Sequence, residues 1–228
     1  MRILAIDTAL EACSAAVLDT GQGGDAVQES QAMVRGHAEA LMPLIKRVME
    51  HAGLAFSTLD RVAVTTGPGS FTGLRVGIAA ARGIALAASR PAVGLSTLAA
   101  YATPFIAADD TQPVVTAIDA RHGRVYLQVF GPGGRTIVTP RVATLHEAVR
   151  FAADSGAPRL AGNAADLIAA AWPADAPPPA AVDARRAPDI AWVARLGAAA
   201  DESSEPPKPL YLRPPDAHPQ TAAHLPRQ

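Results

Sequence analysis

Apolar positions along the chain fall into two regimes that alternate. RILAID, residues 2–7, is a short apolar run ended by an aspartate. CSAAVLD, residues 13–19, is a second, and residues 25–33 alternate apolar and polar side chains. Short apolar or alternating runs of this kind predict strands. The spacing then changes. In HAEALMPLIKRVMEHAG, Leu41, Leu44, Ile45, Val48 and Ala52 fall on one helical stripe, Pro43 stands near its start, where it costs least, and Gly53 is placed to stop it. Residues 57–60 suit a short turn, and RVAVTT, residues 61–66, suits another strand. A helix of roughly four turns follows from Thr72 to Ala88. Residues 91–95 predict a strand and residues 97–107 a helix, so this half reads βββαβαβα.

A second series follows. Residues 113–119 and 123–130 predict a hairpin, RTIVTPRVA a third strand, and residues 145–153 a helix. Residues 158–163 form a short strand, followed by helices near 164–171 and 188–199. Proline punctuates the chain from Pro173 onward. The two halves also begin alike: LAIDTALEACSAAVLDTG lies over TAIDARHGRVYLQVFGPG without a gap, matching Asp7 with Asp119, Val17 with Val129 and Gly21 with Gly133. A strand ending in Asp, a short turn and a second strand, found twice, predicts a duplicated α/β unit. The expected division is residues 1–108 and 109–213, with Leu210, Tyr211 and Leu212 docking and residues 214–228 a disordered Pro-rich tail.

Composition narrows the class. Of 228 residues 49% are hydrophobic but only 4% aromatic, so the core must come from Ala, Val, Leu and Ile. A formal net charge of −1 excludes a generally basic nucleic-acid surface. The apolar run at residues 3–6 is too short for a signal-peptide core, and no stretch reads as long and uncharged enough to span a membrane. The only cysteine, Cys13, cannot make an internal disulfide, which points to the cytoplasm.

The glycine-rich stretch TTGPGSFTGLRVGIAAARGIALA is the most distinctive segment, and three catalytic templates fail on it. A Walker loop needs Gly-Lys-Ser/Thr, and no lysine follows Gly67 at the required place. The dinucleotide pattern needs its third glycine at 72, where Thr stands. A nucleophile elbow needs glycines two residues either side of Ser70, where Pro68 and Thr72 stand. A structural role remains. Gly67, Pro68 and Gly69 turn the chain sharply, and Ser70 or Thr72 caps the next helix. Gly73, Gly77, Ala81 and Ala85 then recur every four residues, a smooth face against which either another backbone or the protein's own sheet can pack closely.

Asp7 and Asp119 each end a buried strand at a tight turn. In phosphotransferases of the actin and sugar-kinase type, two such units face each other; their aspartates handle metal and water, and their glycine-rich turns present N–H groups to phosphate. Here the turns, DTALEAC and DARHGRV, are poor in glycine. Asp7, Thr8, Glu11, Asp119 and Arg121 therefore stand between two readings, a residual nucleotide or anion site and simple turn-capping. The six histidines include no i,i+4 pair to hold a metal from one helix face. Cys13 reads as a small core residue.

ILAIDTALEACSAAVLD, GHAEALMPLIKRVMEHAGL, GPGSFTGLR and AIDARHGRVYLQVF together resemble the bacterial TsaB family, also called YeaZ, over roughly the first 130 residues. The resemblance implies a duplicated actin-like, RNase-H-like fold. It implies a non-catalytic partner in forming threonylcarbamoyladenosine at position 37 of tRNAs that read ANN codons. The metal-bearing transferase TsaD would be the catalytic partner and the ATPase TsaE a further one, with tRNA reached through the complex. Alone, such a chain pairs with itself. The pairing face would be the two helices of the first half: Leu41, Leu44, Ile45 and Val48 from one, Gly73, Gly77, Ala80, Ala81 and Ile84 from the other. No cofactor of its own is implied, only ATP or ADP at the partner interface, and no metal, catalytic residue or membrane. Two alternatives stand beside this reading, an ATP-dependent small-molecule kinase of the same superfamily and a glycoprotease-like peptidase.

Overall fold

The computed structural model describes residues 1–21, 23, 25–201 and 205–213. Its elements are β1 (Arg2–Asp7), β2 (Ala12–Asp19), β3 (Val27–Ala32), α1 (His37–His51), β4 (Arg61–Gly67), α2 (Phe71–Ala88), β5 (Ala92–Ser96) and α3 (Thr97–Ala108). The second half repeats them as β6 (Val114–Asp119), β7 (Arg124–Phe130), β8 (Thr136–Thr144), α4 (Leu145–Ala153), β9 (Arg159–Ala161), α5 (Ala165–Ala170), β10 (Ala181–Asp183) and α6 (Ile190–Ala199). The order βββαβαβα therefore occurs twice; the apolar pattern predicted it in full for the first half and short of one strand for the second. One strand, β10, lies in the Pro-rich stretch where the pattern predicted none.

Each half builds a five-stranded sheet, with orders β3-β2-β1-β4-β5 and β8-β7-β6-β9-β10. In both, the first three strands run antiparallel and the last two join the first in parallel. Two sheets of one topology in one chain are a duplicated actin-like fold.

The two faces of the first sheet follow from the period of two along its strands. Leu4, Ile6, Ala15, Val17, Val62 and Val64 point toward α1 and α2. Ile3, Ala5, Ala16, Leu18, Ala63 and Val93 point toward Ile190, Val193 and Ala194 of α6. The last helix thus returns to cover the first sheet. Leu98 and Tyr101 of α3 pack in turn with Ile118 of β6 and Ala161 of β9, so the last helix of the first half reaches the second sheet. The connection between α3 and β6 joins the two halves, and each half lends a helix to the other. Arg61, buried at the start of β4, donates to the carbonyls of Gly197 and Ala200 and so closes the C-terminal end of α6.

One expectation needs correction. Helix α2 is, by length and composition alone, long and apolar enough to cross a membrane. Its apolar side is spent inside the protein: Leu74, Ile78, Ala81 and Ala85 are buried in the core shared with α1 and the first sheet. Residues 214–228, expected to be a disordered tail, lie outside the described residues.

Candidate functional site

The glycine turn joins β4 to α2 and packs on the β1–β2 turn. Gly67 and Pro68 are linked by a cis peptide bond. Ser70 is the N-cap of α2, its Oγ accepting from the Gly73 N–H at 3.3 Å. The Ser70 N–H donates to the Ala9 carbonyl at 2.7 Å, so this amide serves the fold instead of an anion. Thr8 Oγ1 donates to the Gly73 carbonyl at 2.7 Å. A Cβ at Gly73 would fall on the Thr8 carbonyl oxygen, and one at Gly77 on Thr8 Oγ1, both far inside van der Waals contact. These two glycines are small because the β1–β2 turn lies directly on them.

That geometry buries most of the predicted contact face within the chain. Leu41, Leu44, Ile45, Val48, Gly73, Gly77, Ala81 and Ile84 are all buried within the chain, and Ala80 is half-buried. The small-residue face expected to meet a partner meets Thr8 and the first sheet instead. The stripe marks the inside of both helices because an apolar helical stripe is the part that any fold buries first. The outside is different. Along α2 it carries Val76, Ala79, Ala80, Gly83, Leu86 and Ala87, flanked by Arg75 and Arg82. Leu86 is 83% exposed, Met42 on α1 49% and Phe56 36%. Met42, Phe56, Ala80, Gly83, Ile84 and Ala87 line a shallow apolar groove between the two helices.

The candidate anion residues do not form one cradle. Asp7 is fully buried; its Oδ1 accepts from Thr65 Oγ1 and from the Ala9 N–H, the latter at 3.1 Å, while Oδ2 has no hydrogen-bond partner. Burial raises its pKa above the usual carboxylate value, against the lowering effect of Thr65, Ala9 and His37. Thr8 is committed to Gly73. Glu11 faces Arg186 at 3.5 Å across the halves. Asp119 is exposed, and its Oδ1 accepts from the Arg121 N–H at 2.7 Å, closing a turn in which Arg121, His122 and Gly123 all take positive φ. The matched aspartates thus sit in opposite environments, one sealed and one in solvent. Cys13 is buried, as expected of a core residue, and burial followed by the charges of Asp7 and Glu29 pushes its thiol up to about 11. Among the described residues no three His, Cys, Asp or Glu side chains gather as a metal site would require.

Comparison with known proteins follows the same lines. Residues 28–181 match the family model described as TsaD, tRNA N6-adenosine threonylcarbamoyltransferase. The chain is 40% identical over 126 residues, 55% of its own length and 53% of the other's, to the tRNA threonylcarbamoyladenosine biosynthesis protein TsaB of Escherichia coli. It superimposes on YeaZ from Pseudomonas aeruginosa with a TM-score of 0.75 at 31% identity, covering 92% of this chain and 99% of that one. The chain belongs to the TsaB/YeaZ family. It spans about half the length of the curated TsaB relatives it matches. A ROK hexokinase from Thermus thermophilus, at a TM-score of 0.52 and 13% identity, shares the fold alone.

Within this TsaB/YeaZ chain, the segment near its end packs on the glycine turn, a place that the sequence pattern did not indicate. The Leu210 N–H donates to the Thr66 carbonyl at 2.8 Å, and the Tyr211 ring stacks on Phe71 at 5.1 Å. Leu210 and Tyr211 do dock, as predicted, but onto the glycine turn. The available signal was Gly67 and Gly94, where a Cβ would meet Leu210 at 2.8 Å and Pro207 at 3.2 Å respectively. The exposed groove residues Met42 and Phe56 could be found by asking which apolar side chains fall off the buried stripe.

Proposed function

We propose that this protein is a partner subunit in the formation of threonylcarbamoyladenosine on tRNAs reading ANN codons, working in the cytoplasm beside a TsaD-like catalytic subunit. Family membership supports the process, and the apolar groove between α1 and α2 is the single structural observation that supports docking. Leu86 and Met42 are large apolar side chains left in water beside a strip of small ones at Ala79, Gly83 and Ala87. A strip of that kind lets a partner helix approach closely while its neighbours bury apolar area. The same groove would serve self-pairing when the partner is absent. A TsaE-like ATPase, tRNA, and ATP or ADP would be engaged through the assembled complex.

The chain's own turns favour this over a kinase. The Ser70 amide is occupied by Ala9, Thr8 is occupied by Gly73, and Asp7 is sealed. The test is co-purification with a TsaD-like protein followed by a tRNA modification assay with and without this chain. Modification that needs both proteins supports the reading. Robust ATP turnover or threonylcarbamoyl transfer by the pure chain, lost in Asp7→Ala, overturns it.

A further inference from the structure

We propose that residues 205–213 form a clasp that couples the start of α2 in the first half to the β6–β7 turn in the second. The segment makes a series of contacts in order along its length. Pro207 is buried against Gly94 of β5. The Leu210 N–H donates to the Thr66 carbonyl at 2.8 Å, beside the point where the pairing of β4 with β5 shifts register. The Leu210 carbonyl lies over Gly67, which takes φ 118° and has no room for a Cβ. Tyr211 stacks on Phe71, the first residue of α2, at an interplanar angle of 29°. Its hydroxyl accepts from Arg75 Nε at 3.1 Å, and the Arg75 guanidinium lies 3.7 Å over the Phe71 ring. Finally Arg213 Nη1 donates to the Ala120 carbonyl at 3.2 Å, inside the second-half turn.

These contacts differ from core packing in a way that matters for coupling. Pro207 is buried, but Leu210 and Arg213 are half-exposed and Tyr211 is exposed. Such a segment can open without unfolding either sheet. Both of its anchors are turns whose backbone is held in a restricted shape, Gly67 on one side and Arg121, His122 and Gly123 on the other. Loosening one anchor removes the ordering that the other gains from a shared, nearly inextensible tether, which is coupling in the thermodynamic sense. The start of α2 is also the start of the helix that carries Arg75, Ala79 and Gly83 outward. The state of the second half is thereby transmitted to an exposed helix face of the first.

The test is hydrogen–deuterium exchange on the full-length protein. Arg213→Ala removes the donor to the Ala120 carbonyl in the second half. It should speed exchange of amides in residues 119–124 and, by coupling, in residues 67–73, each by roughly fivefold, the effect of one lost hydrogen bond. Amides of β1 and α4 should keep their rates, which separates local release from global unfolding. Tyr211→Ala should produce the reciprocal pattern, and Arg213→Lys, which keeps a donor, should restore slow exchange. Faster exchange confined to the end that was mutated would overturn the coupling. Unchanged exchange at residues 67–73 in both Tyr211→Ala and Leu210→Pro, the latter removing the N–H given to Thr66, would overturn the clasp.

Discussion

Asp7 shows how far one residue's environment departs from what its place in the sequence suggests. It ends β1 just as Asp119 ends β6, and the sequence alignment of the halves treats them as equals. Asp7 is sealed under the fold with one carboxylate oxygen unpartnered, a costly place for a charge. Its folded pKa is raised above the unfolded value of 3.8. The stability it contributes is therefore fully present below pH 3.8 and is lost as pH rises through the folded value, at most about 1.4 kcal/mol per pH unit for one proton. Subtracting the stability–pH curve of Asp7→Asn from that of the natural chain should leave a component that falls with rising pH. A difference that rises or stays flat would show that burial does not raise the Asp7 pKa. Cys13 offers a second check on the same interior. Buried and with its thiol pushed up to about 11, it should resist a water-soluble disulfide reagent at neutral pH until the protein is unfolded. Stoichiometric labelling of the folded chain would contradict its burial.

At the scale of elements, α2 carries glycines of two kinds. Gly73 and Gly77 touch Thr8, whereas a Cβ at Gly83 would meet nothing within 4 Å. Gly77→Ala should therefore destabilise by roughly 1–3 kcal/mol through overpacking. Gly83→Ala should stabilise by up to about 1 kcal/mol by restoring helix propensity. Denaturant melts of the two variants would decide this, and equal signs would refute the assignment of the inner face. Periodicity made most elements legible because burial imposes it: the strands of the first half and the stripe of α1 follow local rules. Strand β10 escaped because three residues in a Pro-rich stretch carry no period. Which face of α2 looks inward was illegible for another reason. Glycines every four residues mean close approach, and the pattern does not say whether the neighbour is Thr8 or a second molecule.

At the scale of the molecule, duplication was legible from the two Asp-ended strands, but the exchange of helices between halves was not. Nothing local in α6 says that Val193 and Ala194 will meet Ile3 and Ala63 of the opposite half. That exchange decides which surfaces remain. With α6 on one face of the first sheet and α1 and α2 on the other, both faces of that sheet are covered, and the outer sides of α1 and α2 present an exposed apolar surface. Two substitutions on one helix then have distinct consequences. Gly77→Arg places a long charged side chain against Thr8 and Val64 inside the core, and should unfold the chain. Ala87→Arg places the same side chain in the open groove beside Met42 and Gly83. It should leave the melting curve within about 0.5 kcal/mol of the natural protein's, as surface substitutions do. If the groove is the docking face, Ala87→Arg should at the same time weaken capture of a TsaD-like subunit and self-pairing by at least about tenfold, since an unpaired charge buried at an interface is costly. Circular dichroism beside a pull-down reads both effects. Full binding by a folded Ala87→Arg chain would move the docking face off α1 and α2 altogether, while leaving the inner-face assignment to stand on Gly77.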